Sequence, residues 1–153
     1  MTGESSPRSR AQRKADTLAK LEGPVADCWV ATADGGAPYL VPLTLAWLRE
    51  RIVLATDRNS RTARAITATG IARLGLGGTR DVVMIDARLE SVAAVGTAPG
   101  WVAEGYAGRA DWDPRTAGEG YVFLVLAPQR IQAWREADEI PGRTLMRDGV
   151  WAS

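Results

Sequence analysis

The chain has 153 residues, of which 46% are hydrophobic and 24% are charged, and its formal net charge is +1. This length suits a single domain, and this composition supplies enough apolar side chains for a core, so disorder of the whole chain is excluded. A balanced charge predicts no nucleic-acid partner, because phosphate binding needs a concentrated basic surface. Histidine is absent, which removes the commonest metal ligand and the usual general base. We therefore expect no metal site, and any chemistry to come from a bound cofactor.

The first ten residues are rich in serine and arginine, and we expect residues 1–10 to form a disordered tail before a single domain over 11–153. The longest apolar runs are about ten residues, against about twenty needed for a helix to cross a bilayer, so no membrane partner is expected. No secretory signal is recognised, which predicts a cytoplasmic location. Cys28 precedes an apolar pair and is expected to be a buried, unreactive thiol.

The first half of the chain predicts a helix, three strands and a second helix. The first helix covers residues 11–22 and ends at Gly23-Pro24. The strands cover 28–33, 39–48 and 51–56, with a turn at Asp34-Gly35-Gly36 between the first two. A second helix is predicted over 57–69, with Asn59 or Ser60 as its cap and Gly70 at its end.

The second half predicts a further group of short strands. They cover residues 71–76, 81–85 with a bent continuation to 95, 121–127 and 131–135. A helix over 101–110 and a polar loop over 110–120 separate the strands. Many short strands with few helices favour a mainly β fold, and specifically a closed β-barrel, over a parallel α/β sheet.

The segment from Thr56 to Arg64 joins a strand end to a helix start, where unpaired amides and the helix dipole attract anions. Hydroxyl groups of Thr56, Ser60 and Thr62 can donate to phosphate oxygens. Arg61 and Arg64 are three residues apart, so they share one helical face and can grip a dianion. The alternative is that Ser60 only caps the helix and that both arginines are solvated.

The order of these features resembles the pyridoxamine 5′-phosphate oxidase-like, FMN-binding split-barrel superfamily: a strand, an Asp-Gly-Gly turn, a proline-containing strand, a strand ending in threonine, then Ser-Arg-Thr-Ala-Arg. The resemblance implies a split β-barrel with the flavin phosphate at the strand-to-helix junction. The implied phosphate contacts are Thr56, Ser60, Arg61, Thr62 and Arg64. The residues implied to line the flavin ring are Val41, Pro42, Leu43 and Thr44, although the same strand could be a plain core strand.

The C-terminal segment resembles the closing strand motif of the same superfamily, through Ile131-Gln132-Ala133-Trp134 and the stretch from Arg143 to Trp151. In that family a tryptophan and an arginine here reach a cofactor bound mainly by the other subunit. The resemblance therefore implies Trp134 and Arg143 as cofactor contacts, and a homodimer with the cofactor site at its interface. Ordinary interface packing is the alternative role for Trp134.

Two departures from the family pattern narrow the expected activity. Thr62 stands where the oxidase usually has a lysine, and the histidine of the family's substrate grip is missing, so true pyridoxamine 5′-phosphate oxidation is not expected. The resemblance implies an oxidoreductase that uses FMN, or alternatively coenzyme F420, on an unknown small planar substrate. The alternatives are a non-catalytic flavin-binding protein for storage, transport or sensing, and an interaction domain with an empty pocket.

Overall fold

The structure is a computed structural model and describes residues 6–153. It contains three α-helices and eight β-strands within these residues. The helices are α1 (Arg10–Glu22), α2 (Arg61–Thr69) and α3 (Gly100–Arg109). The strands are β1 (Ala26–Thr32), β2 (Tyr39–Leu48), β3 (Arg51–Asp57), β4 (Ile71–Leu76), β5 (Val82–Ala94), β6 (Tyr121–Trp134), β7 (Thr144–Arg147) and β8 (Val150–Trp151).

Six antiparallel strands close into a barrel. Their order is β3-β2-β1-β4-β5-β6, and β6 pairs with β3 to complete the ring. β7 pairs with the C-terminal half of β6, beyond the part that pairs with β3, and β8 pairs with β7. Closure removes the exposed strand edges within the ring, which explains how six mostly short strands form a stable sheet.

Burial along the strands separates the barrel interior from its outer surface. In β1, buried Cys28 and Val30 alternate with exposed Asp27 and Trp29, as expected when one face of a strand lines a core. β6 instead has seven consecutive buried residues from Val122, because it is covered on both sides. Its inward residues join the barrel core together with residues of α1 and α2, and its outward residues pack beneath α3.

Two predicted element boundaries were wrong, for local reasons. The second helix begins at Arg61 and not at residue 57, because Ser60 is its N-cap and Asp57 still belongs to β3. The strands predicted over 121–127 and 131–135 are one strand, β6. Pro128 is tolerated inside it because the pairing with β5 shifts register at this point, and a bulge is where a strand can accommodate a residue without an amide hydrogen.

The predicted disordered tail is also corrected in part. Residues 1–5 lie outside the described residues, but Arg8 is held by Glu139 through its backbone amide (2.7 Å) and its side-chain Nη2 (2.7 Å). The guanidinium of Arg13 donates to the Glu139 carbonyl (2.9 Å). The chain is therefore fixed to the domain from Arg8 onward. None of the helices described within residues 6–153 is long and apolar enough to cross a membrane.

Candidate functional site

The junction between β3 and α2 is held in a fixed shape by its own polar side chains. The Asp57 carboxylate accepts from the Asn59 amide (2.7 Å), and the Ser60 hydroxyl accepts from the Ala63 amide (3.1 Å). The Thr56 hydroxyl donates to Ser60 Oγ (3.3 Å). Ser60 therefore is a helix cap, as one of the two sequence interpretations expected. The amides that precede Ala63 in the first turn point away from the helix, where they can meet an anion.

Arg61 and Arg64 line one cavity of about 260 Å³ beside this junction, which we call the basic cavity. Its lining residues are Thr32, Ala33, Asp34, Gly36, Ala37, Tyr39, Arg61, Arg64 and Ala65. The predicted shared face of the two arginines is thus confirmed. Arg61 lies over the Tyr39 ring, 4.6 Å from its centroid. Neither arginine takes part in any ion pair recorded within residues 6–153. Asp34 is the one carboxylate in the lining, so the cavity carries a net positive charge.

The three predicted hydroxyl contacts are placed differently from the arginines. Thr56, Ser60 and Thr62 are not among the residues that line the basic cavity. Thr56 and Ser60 are half-buried, whereas Thr62 is only 3% exposed and offers almost no surface to a ligand. The structure therefore groups Arg61 and Arg64 at the cavity wall, with the hydroxyl groups behind them in the junction.

The predicted ring strand alternates between the core and the outside. Val41 and Leu43 pack against the barrel core, as the plain core-strand interpretation expected for this stretch. Pro42 is exposed and lies opposite Trp29 of β1, and Thr44 lies opposite Asp27. A flat ring on this strand would therefore meet the outward side of β2, mainly Pro42 and Thr44.

A second cavity, of about 590 Å³, opens beside Pro42, Leu43 and Thr44, and we call it the aromatic cavity. Its other lining residues are Asp27, Cys28, Trp29, Ala55, Gly75, Gly77, Tyr106 and Trp112. The Tyr106 hydroxyl donates to the Thr44 carbonyl (3.0 Å), and the Thr44 hydroxyl donates to the Asp27 carboxylate (2.8 Å). The first bond ties α3 to the middle of β2, and the second joins β2 to β1.

The thiol and the phenol in the wall of the aromatic cavity, those of Cys28 and Tyr106, are not poised for proton transfer or nucleophilic attack. Burial raises the pKa of the Cys28 thiol to about 12, and its sulfur contacts the Leu43 carbonyl at 3.4 Å. Burial also raises the pKa of Tyr106 to about 12. Both groups are therefore protonated at neutral pH. The prediction that Cys28 is a buried thiol is confirmed.

The two cavities lie at opposite ends of the same pair of strands. The basic cavity includes Thr32 and Tyr39, which face each other at one end of the β1–β2 ladder. The aromatic cavity includes Asp27 and Thr44, which face each other near the other end. Thr32 is five positions from Asp27 along β1, which corresponds to about 17 Å of extended strand. One elongated ligand with an anionic end and a flat end could follow this ladder.

Trp134 and Arg143 lie together, but far from the basic cavity of the same chain. The Arg143 guanidinium is 5.3 Å from the centroid of the Trp134 ring. In β6, Val122 pairs with Thr56 near the junction, whereas Trp134 pairs with Val82 at the opposite end. Trp134 is twelve positions from Val122, which corresponds to about 40 Å along the strand.

Arg143 also belongs to a strongly basic group near the end of β6. A cavity of about 430 Å³ is lined by four arginines and no carboxylate, and we call it the arginine cavity. Its lining residues are Arg10, Arg130, Gln132, Ile140, Gly142, Arg143, Thr144, Arg147 and Ala152. The sequence resemblance pointed to Arg143 alone, because Arg10 and Arg130 are far from it in the chain.

Part of the outer barrel surface at β1, β2 and β4 carries exposed apolar side chains. Trp29 (53% exposed), Leu40 (58%) and Ile71 (62%) present large apolar side chains there. α3 covers a different part of the barrel, over β2, β3 and β6. Large exposed apolar side chains on one sheet are typical of an interaction surface.

Asp27 and Trp112 were not among the residues predicted for the site. Asp27 could have been found from the alternation of β1, which turns residues 27, 29 and 31 outward beside the ring strand. Trp112 lies in a polar loop, and it reaches the cavity through edge-to-face packing with Tyr106, at a centroid distance of 6.1 Å. No local pattern predicts that contact.

No protein-family model matches the sequence, and no curated protein matches it. Solved structures do match it. An F420 reductase has a TM-score of 0.61 and 18% identity, over 74% of this chain and 93% of its own. A pyridoxamine 5′-phosphate oxidase-related, FMN-binding protein from Nostoc punctiforme has a TM-score of 0.50 and 15% identity, over 81% of this chain and 78% of its own. A heme-binding protein from Mycobacterium smegmatis has a TM-score of 0.62 and 16% identity, over 93% of this chain and 59% of its own. Together with the closed six-stranded barrel, these likenesses establish that the chain has the split β-barrel fold that its sequence resemblance implied.

Proposed function

We propose that this protein is an oxidoreductase that binds FMN or coenzyme F420 and acts on a small planar substrate. The observation that carries the proposal is the pairing of two cavities on one strand ladder, with a net positive cavity at one end and a flat aromatic cavity at the other. FMN and F420 both join a flat tricyclic ring to a phosphate through a polyol chain. Their shape and charge fit this arrangement.

The residues of the basic cavity fit the phosphate end. Arg61 and Arg64 have no carboxylate partner within residues 6–153 to compete with an anion, and the start of α2 adds a favourable dipole. Arginine holds phosphate through bidentate hydrogen bonds. Thr56, Ser60 and Thr62 would act mainly by fixing the shape of the junction.

The residues of β2 fit the ring. Pro42 and Thr44 present a flat outward strip, and Trp29 of β1 lies beside it. Val41 and Leu43 support this strip from the core side. A flavin-type cofactor, when bound, supplies hydride transfer, so the protein itself needs only to hold the ring, orient the substrate and exclude water.

We further propose that the working form is a homodimer in which each site is completed by the second copy. Trp134 lies at the far end of β6 with Arg143 beside it, too far away to reach the basic cavity of their own chain. A two-fold contact through the exposed apolar side chains of Leu40 and Ile71 would bury them. It would also let the arginine cavity of one copy approach the cofactor held by the other.

Equilibrium titration with FMN and, separately, with F420 tests the proposal, with cofactor fluorescence as the readout. We expect one of them to bind, and the double variant Arg61→Ala/Arg64→Ala to weaken binding at least a hundredfold, since each lost charge-assisted contact is worth about 1.5–3 kcal/mol. Arg58→Ala is the matched control. Arg58 lies in the same segment, is exposed, and is directed to the Glu119 carbonyl (3.5 Å) outside the cavity. Failure of both cofactors to bind, or equal losses in both variants, would overturn the proposal.

A non-catalytic binding protein is the second candidate, and it is favoured by the likeness to a protein described as heme-binding. The two candidates differ in turnover. An oxidoreductase must pass electrons from its loaded, reduced cofactor to an added acceptor at a rate above that of free cofactor. A binding protein would hold the cofactor and show no such acceleration.

A further inference from the structure

We infer that the aromatic cavity is a recognition site for flat, nitrogen-bearing aromatic cations, and that Asp27 is the residue that selects them. Asp27 is the only charged side chain among the eleven residues that line this cavity. Its charge is opposite to that of the basic cavity at the other end of the ladder, where Arg61 and Arg64 lie. The two ends of the surface therefore select opposite charges.

The Asp27 carboxylate is held in place but keeps acceptor capacity for a ligand. The Thr44 hydroxyl donates to Asp27 Oδ1 at 2.8 Å, and the Thr44 backbone is fixed in turn by the Tyr106 hydroxyl at 3.0 Å. Asp27 takes part in none of the ion pairs within residues 6–153. A carboxylate can accept several hydrogen bonds, so Oδ2 is open to an N–H group of a ligand.

Three aromatic side chains give the cavity walls that favour a flat cation. Trp29 is half-exposed on β1, and Trp112 packs edge-to-face against both Tyr106 (6.1 Å) and Tyr121 (5.7 Å). Trp29 and Trp112 line the cavity, and indole faces are the strongest aromatic partners for cations. Stacking on such faces also favours planar rings over compact ions such as ammonium.

Two glycines, Gly75 and Gly77, belong to the cavity wall. Gly77 has a φ of +81°, and a Cβ there would lie 2.3 Å from the Asp81 carbonyl oxygen. At Gly75 a Cβ would already contact the Met84 sulfur at 3.4 Å. The backbone therefore requires glycine at position 77, and neither glycine adds a side chain to the cavity wall.

The lysine beside this cavity does not neutralise Asp27. Lys20 runs beside Gly77, but its Nζ is paired with Asp81 at 3.1 Å. Lys20 is also absent from the residues that line the cavity. The negative charge of Asp27 therefore remains available to a bound cation.

Because Pro42, Leu43 and Thr44 line the same cavity, a compound bound there would lie beside the proposed cofactor ring. That it is the substrate of the oxidoreductase rests on the proposed function, whereas the selection of flat cations rests only on the cavity. The substrate class is accordingly a planar aromatic amine, iminium or ring-nitrogen cation.

Equilibrium dialysis with two tricyclic dyes tests the inference on the full chain without added cofactor. Methylene blue is a planar cation, and resorufin is a planar anion of similar size. We expect methylene blue to bind more tightly, and Asp27→Asn to weaken its binding about fivefold while leaving resorufin unchanged or slightly tighter. Asp138→Asn removes the same charge from an exposed position outside the cavity and should change neither dye. Trp29→Leu should weaken methylene blue with Asp27 intact.

Equal effects of Asp27→Asn and Asp138→Asn, or tighter binding of resorufin than of methylene blue, would overturn the inference. Its failure can be distinguished from failure of the proposed function, because the cofactor titration depends on Arg61 and Arg64 and the dye titration depends on Asp27. Asp27-dependent dye binding in a protein that binds neither cofactor would sustain the inference and refute only the oxidoreductase proposal.

Discussion

Replacing Glu139 by glutamine should remove a large, pH-dependent part of the stability. This carboxylate is only 3% exposed and accepts hydrogen bonds from the Arg8 amide (2.7 Å), Arg8 Nε (3.0 Å), Arg8 Nη2 (2.7 Å) and the Arg135 amide (2.9 Å). Its bonds from Arg8 lower the pKa of Glu139 from 4.5 to about 2. A difference of this size corresponds to about 3 kcal/mol at neutral pH.

The sign of the pH dependence follows from the lowered pKa. The stabilisation by Glu139 is complete above the unfolded value of 4.5 and is lost as the pH falls toward about 2. In urea unfolding, the free energy of unfolding of Glu139→Gln should therefore be lower than that of the wild type by about 3 kcal/mol at pH 7 and by about 1.5 kcal/mol at pH 3. Glu136→Gln is the control, because its pair with Arg80 is largely exposed, and it should cause no measurable change. The same difference in free energy of unfolding between the wild type and Glu139→Gln at both pH values would refute this reasoning.

Three further predictions concern local features of the fold. Gly77→Ala should lower the free energy of unfolding by about 2 kcal/mol, because φ is +81° and the new Cβ would collide with the Asp81 carbonyl. Gly78→Ala is the control, since its Cβ would meet open space. Thermal unfolding of the two variants checks this, and equal melting temperatures would contradict it. Ser60→Ala should lower the free energy of unfolding by about 1 kcal/mol, because α2 loses its N-cap. Urea unfolding measures this change, and an unchanged free energy of unfolding would contradict the role of the cap. Cys28 should not react with a thiol reagent at pH 8 until the protein is unfolded, since burial raises its pKa to about 12; rapid labelling of the folded protein would contradict its burial.

The fold was largely predictable because its signals are local. Alternating burial in β1, the glycine after α2 and the Ser60 cap all act within a few residues, so they mark element type and order. Pro128 misled the interpretation of β6, because a proline usually ends a strand and the register shift that accommodates it is set by pairing with β5. The ordered position of Arg8 could not be predicted from local sequence, because its partner Glu139 lies 131 residues away in the chain.

The candidate site was predictable only where its residues are close in sequence. Arg61 and Arg64 share a cavity because three residues make nearly one helical turn. The aromatic cavity instead combines Asp27 of β1, Thr44 of β2 and Trp112 of a loop, which barrel closure alone brings together. Likewise, no pattern in one chain states that Trp134 and Arg143 lie beyond the reach of their own basic cavity.

Complementation between two inactive variants tests most directly the claim that each site is built from two copies. Arg61→Ala/Arg64→Ala removes one half of the site, and Trp134→Ala/Arg143→Ala removes the other. Each variant alone should fail to bind the cofactor. When equal amounts of the two variants are unfolded and refolded together, half of the dimers should contain one copy of each variant. Each mixed dimer should have one intact site of its two, so binding should return to about a quarter of the wild-type number of sites. Binding that stays absent in the mixture, while both variants fold and dimerise, would contradict the shared site.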